Sequence, residues 1–172
     1  CVLSAGLLGT GLSTPVAASR GAAAGPEFAL DDPCTYASRS VVKGAFRKSV
    51  TKATPSGTTL CYLSLGADPD VAPNGRLAVT QEFPGNRAFK TARGQFEDKR
   101  AIENLSAFEI ADVFNLGRGA YSNQTTGALT VLANRKLSFT LSWIPAGRTQ
   151  ISPAEVKALE RVARDLVARS RG

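Results

Sequence analysis

The sequence predicts an α+β fold: a mainly antiparallel sheet of about five strands, with helices packed on one face as a two-layer sandwich. Three observations carry that expectation. The stretch 128–144 reads as a hairpin whose second arm alternates Leu137, Phe139, Leu141 and Trp143 with Ser138, Thr140 and Ser142. That is the period-two pattern of a strand with one apolar and one wet face. Ser152-Pro153-Ala154-Glu155 is a capping box with proline at the first helical position, and Val156, Leu159, Val162, Ala163, Leu166 and Val167 follow at helical spacing. Hairpin strands beside helices with single apolar faces belong to two-layer architectures. At 172 residues, 43% apolar and 20% charged, the chain has the length and mix of one globular domain with its own core.

Residues 1–28 read as the remnant of a leader and linker, and 29–172 as the single domain. The leader has no charge before Arg20, a small and apolar run from Val2 to Leu12, then Pro15 and Val16-Ala17-Ala18. It is too short and glycine-rich to span a membrane. Two readings stand: the rear of a secretory signal cleaved after Ala18 or within Ala22-Ala23-Ala24, or a mature lipoprotein whose Cys1 carries lipid. Gly25-Pro26-Glu27-Phe28 also reads as a cloning remnant. The sequence contains no Met, so it is expected to lack its initiator. Either leader reading places the protein outside the cytoplasm, in the cell envelope or beyond, with lipid anchoring to the outer membrane face in the second.

The first helix is expected from Ser38 or Ser40 to about Val50, with Val41, Val42, Ala45, Phe46 and Val50 on one face. Arg39, Lys43 and Arg47 share another face at four-residue steps, with Lys48 and Lys52 beside them. Pro55-Ser56-Gly57 reads as a turn. Residues 60–66 read as a buried strand, 67–75 as a long turn, and 76–83 as a half-buried strand in which Gln81 interrupts Leu77, Val79 and Phe83. Ala88, Phe89, Ala92 and Phe96 fall at helical spacing, and 101–116 reads as a helical turn followed by a strand. The hairpin bend is placed at Asn134-Arg135. No internal repeat is visible.

Several chemistries are excluded or disfavoured. There is no His, so no side chain has an unperturbed pKa near neutrality, and the usual base for a Ser or Cys nucleophile is missing. Ser–Lys or carboxylate hydrolysis remains as an alternative, but Asp68, Asp70, Glu97, Asp98 and Asp112 sit on turns or polar faces with no sign of convergence. No cofactor or metal motif is present. The loop 68–75 lacks the ligand alternation and closing Glu of a calcium loop, and Gly117-Arg118-Gly119 lacks the residues of a phosphate loop. Asn104-Leu105-Ser106 and Asn123-Gln124-Thr125 match the glycosylation triplet, which matters only in a eukaryotic secretory route. In an oxidising compartment Cys34 and Cys61 are expected to pair, closing a loop of about 28 residues worth roughly 3.6 kcal/mol on the chain-entropy model.

Net charge is +7, which favours anionic partners. Between residues 39 and 52 lie five basic side chains and no acidic one. Arg39, Lys43, Arg47, Lys48 and Lys52 are therefore the candidate site for anionic lipid head groups, wall polymers or a membrane protein partner. The bland reading, a solvated helix face, leads. Nucleic acid is not expected, because no aromatic residue interleaves the bases and an exported protein meets little of it. Trp143 is expected to pack in the core. The hydroxyl face of Ser138, Thr140 and Ser142, together with Trp143 should its ring be open to stacking, is a second candidate ligand surface, provided no helix covers it.

Asp32-Pro33-Cys34-Thr35-Tyr36 opening a helix, Leu60-Cys61-Tyr62-Leu63-Ser64-Leu65, the 116–122 turn, the hairpin and the closing helix together resemble a family of actinobacterial exported proteins. These are small two-cysteine domains, often lipoproteins, known as a domain of unknown function. The resemblance covers about residues 31–169. The acidic pair usual in the family's turn is replaced here by Arg118-Gly119, while Ala120-Tyr121 remain. The resemblance implies a cell-envelope protein with a Cys34–Cys61 disulfide and supplies no activity; the residue chemistry itself predicts a non-enzymatic binding or accessory domain.

Overall fold

A computed structural model describes residue 29 and residues 31–66, 75–83, 91–106, 108–148 and 150–171. Cys1, the leader and linker, and the calcium-like turn with Asp68 and Asp70 lie outside the described residues. Ala88 and Phe89 do too.

The chain forms helices α1 (Arg39–Phe46), α2 (Ala92–Leu105) and α3 (Pro153–Arg169). Its strands are β1 (Val50–Ser56), β2 (Leu60–Leu65), β3 (Gly75–Phe83), β4 (Ile110–Asp112), β5 (Gly119–Asn123), β6 (Ala128–Leu132) and β7 (Ser138–Pro145). They make one seven-stranded sheet in the order β1-β2-β3-β7-β6-β5-β4, with every neighbouring pair antiparallel.

Register sorts the side chains onto two faces. Leu63 lies opposite Leu77 and Leu77 opposite Trp143; Cys61 lies opposite Val79, Val79 opposite Leu141, and Leu141 opposite Leu129. These residues therefore share a face. They form the main core with Val42 of α1 and with Leu159, Val162, Ala163 and Leu166 of α3. Tyr121 and Leu132 point the other way and pack with Ala92 and Phe96 of α2. The Phe96 and Tyr121 rings lie 5.4 Å apart.

Two expectations are corrected. Among the described residues the sheet has seven strands, not about five, and helices cover both faces, so the layers are helix, sheet, helix. The sequence of β1 reads as the tail of α1 followed by a turn, and the structure makes it a strand. Its Pro55 is tolerated because β1 is an edge strand, where one side of the backbone needs no partner. The stripe of Ala92 and Phe96 identified a helix, but nothing in such a stripe says which side of a sheet it will cover. The hairpin bend falls as expected, with Asn134 Oδ1 accepting from the Lys136 amide at 2.8 Å. The capping box at Ser152 and Glu155 is formed in full.

The Cys34–Cys61 disulfide, with Cα atoms 5.1 Å apart, ties the 3-10 turn Pro33–Thr35 to β2. Arg169, in the last turn of α3, donates to the carbonyls of Thr35 and Tyr36 and pairs with Asp165 at 2.9 Å. The start of the fold is thus held to β2 by a covalent bond and to the end of α3 by a guanidinium clasp. Replacing both cysteines, Cys34→Ala with Cys61→Ala, is expected to lower unfolding free energy by about 2–5 kcal/mol. Chemical denaturation of the two forms checks this, and a loss below about 1 kcal/mol contradicts a tying role.

Candidate functional site

The helix α1 is shorter than its sequence predicts. It stops at Phe46, and Arg47 takes the left-handed conformation (φ 55°) that closes a helix C-terminus. The chain then turns into β1. Arg39 and Lys43 are exposed on α1, Arg47 is its cap, Lys48 lies in the connection, and Lys52 is on β1. The single basic helical face expected from the sequence is therefore divided among three kinds of structure.

Folding regroups part of it. Arg47 and Lys48 meet Lys157 and Arg161 of α3 across an open cleft of about 450 Å³ between the end of α1 and the start of α3. Arg161 Nη1 donates to the Gly44 carbonyl at 3.4 Å, one of the α1 carbonyls that the helix itself leaves unpartnered. Lys48 Nζ stands 5.6 Å from the Trp143 ring centroid, and the Phe46 ring lies 4.7 Å from the same indole. Trp143 is buried, so the indole acts as the floor of the cleft and not as an exposed stacking surface. It also presses on Gly75, where φ is 141° and a Cβ would lie 2.4 Å from the ring. Only glycine fits there.

The acidic group lining the cleft, Glu155, is fully committed. Its Oε1 accepts from Trp143 Nε1 at 2.6 Å and from Arg148. Its Oε2 accepts from the Ser152 amide at 2.7 Å and the Ser152 hydroxyl at 2.8 Å. Burial pushes this carboxyl up, but the bonds from Ser152, Trp143 and Arg148 outweigh burial and hold it below its ordinary value. With its lone pairs occupied and its charge met by Arg148, Glu155 cancels little of the positive field of the four cations.

The hydroxyl face expected along β7 is largely covered. Ser138 and Thr140 are buried on the face that α2 occupies, Ser142 is half-buried, and Trp143 belongs to the opposite face. Thr140 Oγ1 is 2.9 Å from Thr130 Oγ1. These four residues do not form one surface. Of the acids considered for hydrolysis, Glu97 pairs with Arg93 at 2.7 Å and Asp112 with Arg100 at 2.6 Å. Asp98 is exposed on α2. Among the described residues no group of three or more acids or cysteines is placed to hold a metal ion. Nor is any helix there long and apolar enough to cross a membrane.

Sequence reasoning missed Lys157 and Arg161. They lie one turn apart on the polar side of an amphipathic helix, where cations are ordinarily no more than solvated. Their four-residue spacing matches that of Arg39, Lys43 and Arg47, but only the tertiary fold sets them against Arg47 and Lys48. Comparison with protein families, curated proteins and solved structures finds no match to this chain.

Because the folded Glu155 pKa lies below the unfolded one, its stabilisation is complete above the unfolded value of about 4.3 and is lost as pH falls through the folded value. Glu155→Gln is expected to cost about 1–3 kcal/mol at neutral pH and to flatten the loss of stability on acidification. Thermal melts of both proteins between neutral and strongly acidic pH measure this. An unchanged acid limb in the variant contradicts the role given to Glu155.

Proposed function

We propose that this is an exported cell-envelope protein that works by binding, not catalysis, and that it holds an anionic envelope component in the cleft between α1 and α3. The observation that carries the reading is the convergence of Arg47, Lys48, Lys157 and Arg161 on one concavity whose acid is already hydrogen-bonded. Lipid head groups and wall polymers are the anions such a protein meets. The disulfide supports an oxidising location, where such bonds persist. The absence of His from the sequence and the full occupation of Glu155 leave this cleft without a ready proton acceptor, which supports binding over hydrolysis.

Each cation close to an anionic surface contributes about 1 kcal/mol, so four give weak, reversible attachment and not permanent anchoring. A second reading, an accessory subunit of a membrane-anchored complex, is favoured by one separate feature. Leu105 on α2 and Phe114 after β4 are 87% and 78% exposed, which is unusual for large apolar side chains in a domain with a filled core.

Sedimentation with vesicles separates the two. The protein is expected to co-sediment with anionic but not neutral vesicles or to bind isolated wall fragments, and Arg47→Glu with Arg161→Glu is expected to reduce that binding at least tenfold. Undiminished retention of the charge-reversed protein contradicts the cleft as the site. Stoichiometric co-purification of a membrane protein that is lost in Leu105→Ser and Phe114→Ser supports the accessory role instead.

A further inference from the structure

We propose that the basic cleft is one half of an elongated site, and that its ligand is a phosphorylated oligosaccharide whose phosphate sits against Arg47 and Arg161 while its sugar units cross α3. This deepens the anion-binding reading above and rests on it.

The second half is an open cleft of about 670 Å³ on the other flank of α3. The helix contributes Ala154, Ala158 and Arg161 to the basic cleft, and Pro153, Val156 and Glu160 to the second one. Lys157 lines both, and it is exposed. It is therefore the crest over which a ligand passes from one cleft to the other.

The chemistry changes sharply at that crest. Beyond it lie the exposed side-chain amides of Gln124 and Gln150, the Thr125 hydroxyl, and the carboxylates of Glu109 and Glu160. Amides donate and accept, and carboxylates accept from hydroxyl groups, so this lining suits a neutral polyhydroxylated unit. Two carboxylates disfavour a second phosphate there, even with Glu160 lying 3.8 Å from Arg164. Ile151 and Val156 supply apolar surface against which a sugar ring can lie. The ligand is thus asymmetric, anionic at one end and hydroxyl-rich at the other.

Size adds a constraint. A helix with its side chains is about 10–12 Å across, so a molecule reaching both flanks must span on the order of 10 Å. Inorganic phosphate does not reach, and a phosphorylated oligosaccharide does. A glycolipid head group and a phosphate-bearing wall glycan share this chemistry.

Titration calorimetry on the oxidised, folded protein tests the idea with inorganic phosphate, maltotriose and maltotriose 1-phosphate. The sugar phosphate is expected to bind at least tenfold more tightly than inorganic phosphate, and maltotriose alone more weakly than the sugar phosphate. Gln124→Ala with Gln150→Ala, both exposed positions, is expected to remove the tenfold gain and leave binding of inorganic phosphate unchanged. Equal affinities for phosphate and sugar phosphate, or a gain that survives the double substitution, overturn the elongated site while the basic cleft stands. Failure of both phosphate probes to bind overturns the cleft reading itself. Displacement of the sugar phosphate by phosphatidylinositol vesicles assigns the ligand to lipid, and displacement by delipidated wall fragments assigns it to the wall.

Discussion

The geometry of this protein around its candidate site depends on one carboxylate. Glu155 closes the N-terminus of α3 through Ser152, holds the indole of Trp143 on the sheet, and pairs with Arg148 from the loop before the helix. Three separate parts of the chain are therefore fixed at a single point, with the side chain only 15% exposed. A charge so placed is stabilising only because every partner is present; removal of any one leaves a partly buried group under-satisfied. The start of α3 divides the two clefts, so the position of Glu155 determines the shape of both.

The opposite face shows the same economy with a different outcome. Glu103 of α2 accepts from Asn123 Nδ2 at 2.7 Å and from the Tyr121 hydroxyl at 3.3 Å, and Lys99 bridges toward Glu82 at 2.8 Å. Burial raises the Tyr121 pKa, and the Glu103 and Glu82 charges add to the rise despite a lowering bond with Thr130, so the phenol stays a donor. This polar network lies between α2 and the sheet, and its groups are spent on docking the helix. The basic cleft differs in its lining, where Arg47, Lys48, Lys157 and Arg161 surround a single carboxylate, Glu155.

Local signals were legible in the sequence where a short stretch determines its own structure. The capping box at Ser152 and Glu155, the alternation along β7 and the Asn134 bend depend on near neighbours, and each was visible. The cysteine pairing followed from counting. What was hidden depends on distant contacts. Arg47 ends α1 because the chain must turn back to reach the sheet edge, and a residue of ordinary helix propensity gives no warning of that. The strand β1 exists because β2 lies beside it, so Pro55 and its exposed neighbours could equally pass for a turn. Ser138 and Thr140 carry the alternation of a solvated face, yet they are buried on the side where α2 packs. The site itself was half visible: Arg47 and Lys48 stood out as a run, while Lys157 and Arg161 stood in a helix whose polar face gave them no distinction.

On the proposed function, association with the envelope is electrostatic and is concentrated in the cleft between α1 and α3. Salt dependence tests it most directly, because screening shortens from about 10 Å at 0.1 M to about 3 Å at 1 M ionic strength. The affinity of the intact, oxidised protein for anionic vesicles or wall fragments is expected to fall by at least an order of magnitude across that range. Affinity independent of salt would contradict it, and would move attention to the exposed apolar side chains of Leu105 and Phe114.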